Sequence, residues 1–283
     1  MNLVVFGEDM YTAAVTESLL KAGHRVSLLV TPDSITANFK VLEEITEKNG
    51  IDFLKAENIN AETVAERIRS IKPDLIISAH LRKILKKEIF SLAAKGAINV
   101  HPSLLPKYRG LSPQHQAIMH GDSESGVSVH FIETGVDTGD IVLQKKFAID
   151  KGDYILQVQS KMLAIYKTIV AEAVELLAGG SFEPIKQDLA TLSYFGPLKK
   201  SDRQIDLSKT REEVYNLIRA VSLPYKGAFY KEYTFWTAEI TDDPGLTSKY
   251  TEAGVYLEEA EDRVIIRLKD GLLISEDFEI NKN

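Results

Sequence analysis

The sequence predicts an α/β fold: a Rossmann-like domain with a mixed, mostly parallel sheet, followed by a small β-rich, OB-like domain. Between residues 3 and 78, short apolar runs of strand length alternate with segments of helical periodicity, the pattern of parallel β-α-β units. Runs at 127–132 and 141–149 are separated by only a compact turn, which predicts an antiparallel pair. Later in the chain the alternation gives way to short strand-like runs set off by glycine turns, as in a small barrel or twisted sheet.

The elements follow in order. A strand at 3–6 ends at Gly7, and a helix over 10–21 stops at Ala22-Gly23, an ordinary C-terminal signal. A buried-type strand at 26–30, a helix at 39–48, a strand at 51–54 and an amphipathic helix at 61–71 come next. After Pro73 a continuous apolar strand covers 75–78, and another covers 97–100. A short helix is predicted at 112–119 and a long one at 155–177, closing at Gly179-Gly180. Residues 179–187 read as a linker, so the expected domains are 1–187 and 188–283. The second carries a helix at 211–221 and strand-like runs at 229–240, 254–257, 264–268 and 272–275.

Composition narrows the chemistry. The 283 residues are 44% hydrophobic and 27% charged, the balance of a soluble protein with a substantial core. With no cysteine there is no disulfide framework, thiolate nucleophile or cysteine metal site. The N-terminus lacks the basic start and long apolar core of a signal peptide, and no apolar run reaches membrane-spanning length, so a cytoplasmic location without a membrane partner is expected. A net charge of −7 disfavours a general nucleic-acid binder. The first strand-to-helix turn, F-G-E-D-M-Y-T, holds one glycine and two acids where a dinucleotide fold needs a glycine-rich phosphate cradle. NAD, FAD and P-loop nucleotides are therefore excluded there.

The chemistry concentrates between residues 98 and 140. Asn99 and His101 are two apart and share one side of an extended strand. Pro102, Pro106, Gly110 and Pro113 stiffen the loop that follows, and the next strand leads to the glycine-flanked Asp137. Ligands of open α/β sheets bind at the carboxyl ends of the strands, where these three side chains could meet. An imidazole oriented by a carboxylate can move a proton or stabilise an oxyanion, and an amide N–H can complete that site. Residue type and spacing alone leave open that Asn99 is a turn residue, His101 a surface imidazole and Asp137 an Asx-turn former.

The remaining candidates read more simply. His115 and His120 are five apart, off one helical face, and no H-E-x-x-H pattern occurs, so no metal site is expected. His80 ends a strand and could line the site, whereas His130 alternates with apolar neighbours and reads as structural. The cations of 80–87 read as a solvated face unless an acidic ligand lies beside them. Trp236 reads as core.

The segments N-V-H-P-S-L-L-P-K-Y-R-G and H-G-D-S-E-S-G-V-S-V-H-F-I-E-T-G-V-D-T-G-D-I-V-L-Q strongly resemble the 10-formyltetrahydrofolate-dependent formyltransferases. Y-F-G-P-L-K-K-S-D-R-Q-I-D and I-R-A-V-S-L-P-Y-K-G-A-F are similar to the linker and second-domain entrance of the longer members. The resemblance implies a Rossmann-like formyltransferase domain with Asn99, His101 and Asp137 as the catalytic set and 10-formyltetrahydrofolate as cosubstrate. It also implies that Leu81, Arg82, Lys83 and Ile84, with Glu133, Thr134, Gly135 and Val136, hold the folate pterin. The loop carrying Ser103, Lys107, Tyr108, Arg109 and Gly110 would wall the acceptor side, where Arg109 either meets a diphosphate or only stiffens its own loop.

Within that family the second domain argues against glycinamide ribonucleotide as acceptor. Methionyl-tRNA formyltransferases resemble the chain in layout but usually carry a basic insertion after the second strand, and 31–40 holds one Lys and one Asp. The expected activity is N-formylation of a nucleotide-linked amino-deoxy sugar for surface polysaccharide or glycan assembly. Methionyl-tRNA formylation and formyltetrahydrofolate hydrolysis are the alternatives. A transfer RNA partner is disfavoured, and a homodimer is compatible with the sequence.

Overall fold

The strand β1 (Asn2–Gly7) is buried on both faces, and this sets the layers around it. Its alternate residues Leu3 and Val5 enter one apolar cluster, while Val4 and Phe6 enter another on the opposite face. This computed structural model describes residues 1–33, 39–180 and 182–281. Part of the 31–40 segment weighed for a basic loop, residues 34–38, lies outside the described residues.

After β1 come α1 (Met10–Lys21), β2 (Arg25–Pro32), α2 (Phe39–Asn49), β3 (Asp52–Ala56), α3 (Glu62–Ile71) and β4 (Leu75–Ala79). A short α4 (Lys87–Phe90), absent from the sequence expectation, precedes β5 (Ala97–His101). Then follow β6 (Arg109–Gly110), α5 (Pro113–Met119), β7 (Glu124–Phe131), β8 (Ile141–Ala148) and α6 (Ile155–Gly179). The sheet runs β3-β2-β1-β4-β5-β7-β8. Its first five strands are parallel, and β7 lies antiparallel to β5. The mixed, mostly parallel Rossmann-like sheet is therefore present.

The later part holds β9 (Tyr194–Phe195), α7 (Arg211–Val221), β10 (Ala228–Tyr230), β11 (Tyr233–Phe235), β12 (Glu239–Thr241) and α8 (Pro244–Lys249). It closes with β13 (Gly254–Glu258), β14 (Arg263–Leu268), β15 (Gly271–Ser275) and β16 (Phe278–Ile280). The strands form two antiparallel sheets, β10-β11-β16 and β12-β15-β14-β13, giving a β-rich domain. Helix α7 starts on a capping box: Thr210 Oγ1 accepts from the Glu213 N–H at 3.1 Å, and Glu213 returns a bond to the Thr210 N–H. Such a cap contributes about 1 kcal/mol. The run expected as one strand at 229–240 is instead three, because Lys231 takes left-handed backbone (φ 50) and the chain reverses between Tyr230 and Tyr233. Residues 179–187, expected as a linker, are partly docked: Ile185 and Ile141 exchange two backbone bonds of 2.8 Å.

Contacts divide the chain into two compact units that interleave in sequence. The first is Met1–Arg109, Gly126–Phe147 and Lys161–Tyr194; the second is Gly110–Ser125, Ala148–Ser160 and Phe195–Asn283. Among the described residues no helix is long and apolar enough to cross a membrane.

In the second unit His115 is buried against the Tyr225 ring, centroids 4.5 Å apart, and neither ring nitrogen has a hydrogen-bond partner among the described residues. Burial pushes its pKa from 6.5 down to about 4. Below pH 6.5 the unfolded chain binds a proton that the folded chain refuses until about pH 4. Stability is therefore full above that window and falls on acidification, by up to about 3 kcal/mol. His115→Leu is expected to shrink the drop in urea midpoint between pH 7 and pH 4.5; a drop equal to the wild-type one would refute this account.

Candidate active site

The carboxyl end of the sheet's centre gathers the polar side chains. Strand β5 pairs antiparallel with β7 so that Asn99 lies directly opposite His130 and His101 opposite Ser128. Opposed residues share a face, so Asn99 Nδ2 meets His130 Nε2 at 3.2 Å. The turn after β7 carries Asp137 back over this pair in left-handed backbone, φ 53. Aspartate tolerates that region better than most residues because its short side chain bonds locally. Asp137 Oδ1 stands 3.4 Å from Asn99 Nδ2 and 3.5 Å from His130 Nε2, and Oδ2 stands 3.5 Å from His101 Nδ1. The three residues singled out in sequence are thus brought together.

Hydrogen bonding assigns the ring roles. His130 Nδ1 donates to the Phe131 carbonyl at 2.8 Å, which leaves Nε2 as a lone pair that accepts from Asn99. His101 Nε2 donates to the Tyr108 carbonyl at 2.8 Å, so its Nδ1 faces the carboxylate. Burial lowers the His101 pKa most strongly; Asp137 and the Tyr108 carbonyl pull it back up. The ring rests neutral between two acceptors that would welcome a cation. His130, read from sequence as structural, is in contact with both Asn99 and Asp137. A lone imidazole on an apolar strand offered no sign of this without the strand register.

The loop after β5 is held tightly. Ser128 Oγ accepts the Leu105 N–H at 3.1 Å, and Gln144 Nε2 donates to both Ser128 Oγ and the Leu105 carbonyl. Of the residues expected at the acceptor, Lys107 is exposed and Gly110 half-buried. Ser103 is buried with its hydroxyl donating to the Lys107 carbonyl, and Tyr108 is buried. Arg109 is buried too: Nε and Nη2 both donate to Gln187 Oε1, at 3.1 and 2.6 Å. Burial lowers its pKa, and Asp137 opposes that. Gln187 Nε2 in turn donates to the carbonyls of Asp137 (2.9 Å) and Gly139 (2.7 Å), so one amide ties the Arg109 loop to the Asp137 turn. Gln187 was invisible in sequence because its partners lie some fifty to eighty positions away.

The two acids of the first turn have a structural purpose. Glu8 is buried, and its Oε1 accepts the Arg82 N–H at 2.7 Å. Asp9 caps α1 and meets His80 Nδ1 at 2.6 Å, while His80 sits in left-handed backbone (φ 54) against Tyr11. At the other end of this loop Asn60 donates to the Ile84 carbonyl and accepts from the Lys86 N–H. So fixed, Leu81 is half-buried, Arg82 and Lys83 are exposed, and Ile84 shows 70% of its surface. In the Asp137 turn Glu133, Thr134, Gly135 and Val136 are exposed, Val136 by 40%. Among the described residues no group of three or more His, Asp or Glu side chains is placed so that it could hold a metal ion.

Comparison with known proteins bears on both parts of the chain. A family model described as formyl transferase matches residues 1–174, and one described as formyl transferase, C-terminal domain, matches 197–282. Methionyl-tRNA formyltransferase of Thermotoga maritima is 32% identical over 280 residues, spanning 94% of this chain and 90% of that protein. Among solved structures, an N-formyltransferase from Helicobacter canadensis, in complex with folinic acid and dTDP-3-aminofucose, superposes with a TM-score of 0.76 at 21% identity. It covers 98% of this chain and 99% of its own. Glycinamide ribonucleotide transformylase 1 from Symbiobacterium toebii superposes at 0.57 and 26% identity, over 66% of this chain and 94% of its own.

The Gln187 bridge generates a test. Gln187→Ala leaves two turn carbonyls and a buried guanidinium without their partner, a cost of about 1–3 kcal/mol. Expected are a lower melting temperature and a loosened Asp137 turn, with turnover down roughly ten- to a hundredfold. Unchanged turnover in a folded variant would show that the turn holds itself.

Proposed function

The chain belongs to the formyl transferase family; from that premise we propose that it takes the formyl group of 10-formyltetrahydrofolate and N-formylates an amino-deoxy sugar carried on a nucleotide. The observation that carries the acceptor assignment is charge. A protein gripping tRNA neutralises many phosphates with a cationic face, whereas this chain is net −7 and its 31–40 segment holds a single Lys. At 21% identity the likeness to the Helicobacter enzyme speaks for the fold, so it supports the architecture and leaves the acceptor to the charge argument. The 32% identity to a methionyl-tRNA formyltransferase favours tRNA as the second reading.

For the donor we assign two loops at the strand ends. Leu81–Ile84 and Glu133–Val136 expose the apolar faces of Ile84 and Val136 beside backbone polar groups, a surface suited to a flat heterocycle. Bound there, 10-formyltetrahydrofolate supplies an activated formyl group.

The residues then divide the work. One Asn99 N–H is committed to His130, which fixes the amide plane. The other reaches Asp137 only at 3.4 Å, and this weak bond is readily exchanged for charge developing on the carbonyl oxygen under attack. When the acceptor amine attacks, it must lose a proton and the departing nitrogen must gain one. Asp137 takes the amine's proton and shares it with His101, whose cation lies between a carboxylate and the Tyr108 carbonyl. Asp137 then returns it to the departing folate nitrogen as that nitrogen's bond to the formyl carbon breaks. Arg109, bound to Gln187, holds the loop that separates donor from acceptor rather than extending freely to a diphosphate.

Two outcomes follow. His101→Ala and Asp137→Ala are each expected to lower turnover by roughly two to four orders of magnitude with the fold intact by circular dichroism; near wild-type turnover in both sinks the mechanism. Incubation with 10-formyltetrahydrofolate and UDP-, dTDP- or GDP-linked amino sugars is expected to yield a formylated sugar nucleotide. Product formed only with methionylated initiator tRNA would replace this acceptor by the second reading, and formate released without any amine would indicate a hydrolase.

A further inference from the structure

The second unit carries a concentration of positive charge that formyl transfer does not explain. Lys200, Arg203, Lys226 and Lys231 line a concavity of about 590 Å³, with Phe229 and a lone carboxylate, Glu232, among its other walls. Arg203 is anchored: its Nη1 donates to the Lys226 and Gly227 carbonyls at 2.9 and 2.7 Å. Its guanidinium carbon and Lys200 Nζ lie 5.7 and 5.6 Å from the Phe229 ring centre, so both cations are drawn to one aromatic post. Lys231 projects from the reversal between β10 and β11, in left-handed backbone more usual for glycine or asparagine.

Among the described residues none of the four cations forms an ion pair, and Arg203 Nε and Nη2 make no hydrogen bond. Like charges gathered within about one Debye length raise the energy of the protein unless an anion joins them. Several other cations of this unit have carboxylate partners: Arg211 pairs with Asp242, Lys249 with Glu258 and Arg263 with both Glu258 and Glu261. What sets the four apart is that they line one concavity together.

We infer that this concavity binds a small phosphate-bearing anion, a diphosphate being the best match to three lysines around a guanidinium already held in place. Arg203 presents its free N–H groups to phosphate oxygens, and the lysines supply point charges. The size is that of a ligand pocket. Nucleic acid is disfavoured as the occupant because residues 188–283 hold 13 Lys and Arg against 18 Asp and Glu, so the positive area has no extended stripe to follow a backbone. Glu232, whose backbone carbonyl accepts from Asn281, adds one negative charge at the wall and favours a compact anion over a long one.

The test is calorimetric titration of the full-length protein with inorganic pyrophosphate at low ionic strength. It is repeated for Lys226→Glu/Lys231→Glu, two exposed substitutions away from the fold's core, and for Arg109→Ala. Expected are salt-sensitive binding to the wild type, affinity lower by roughly tenfold or more in the double variant, and affinity retained in Arg109→Ala. No binding to the wild type, equal affinity in the double variant, or loss caused by Arg109→Ala would each overturn the inference. So would a double variant that loses affinity for tRNA but keeps it for pyrophosphate. Formyl transfer to each acceptor is assayed in parallel, so a wrong acceptor assignment leaves the pyrophosphate result readable on its own.

Discussion

The register of one antiparallel strand pair governs the candidate active site. Because Asn99 stands opposite His130, an amide N–H finds an imidazole lone pair, and the Asp137 turn closes over both. A shift of one residue would turn each side chain to the other face of the sheet. Burial prevents that shift: Ile98 and Val100 pack into the same core cluster as Val127 and Val129, so slippage would expose apolar surface on both strands. Core packing, a non-directional force, thereby fixes a directional arrangement of hydrogen bonds. Tyr166 joins the two, lying in that cluster with its hydroxyl donating to the Val100 carbonyl at 3.3 Å.

Acidic residues do in this sheet what glycines do in dinucleotide folds, but for another purpose. Where a phosphate cradle would need bare backbone, Glu8 and Asp9 receive a backbone N–H and an imidazole from the segment after β4. The absence of a phosphate site and the rigidity of the loop proposed to hold the donor have one origin. Gly7 belongs to the same arrangement: a β-carbon there would collide with Thr12 and the Ala79 carbonyl, and Thr12 Oγ1 itself donates to that carbonyl at 2.8 Å. Strand end, first helix and loop are packed too closely for any side chain at that position.

Charge is distributed unevenly. The chain as a whole is acidic, yet four cations without carboxylate partners surround one concavity of the second unit. Overall charge governs encounter with a long polyanion, and local charge governs capture of a small one. The two observations are compatible, and each bears on a different ligand.

Much was determined by the sequence itself: the alternation of strands and helices and the β-rich second part, which depend on periodicity and short-range spacing. The trio Asn99, His101 and Asp137 was singled out by the resemblance of its two segments to the formyltransferases, because residue type and spacing left each open to an ordinary structural reading. The tertiary structure alone decided the partners that fix the trio. His130 became a neighbour of Asn99 through strand register, and Gln187 came from a supposed linker to hold the Asp137 turn. Arg109 turned inward to that glutamine, and Lys231 split one expected strand into a hairpin. Each of these depends on contacts between distant segments, and such contacts leave no local pattern because only packing brings their two ends together.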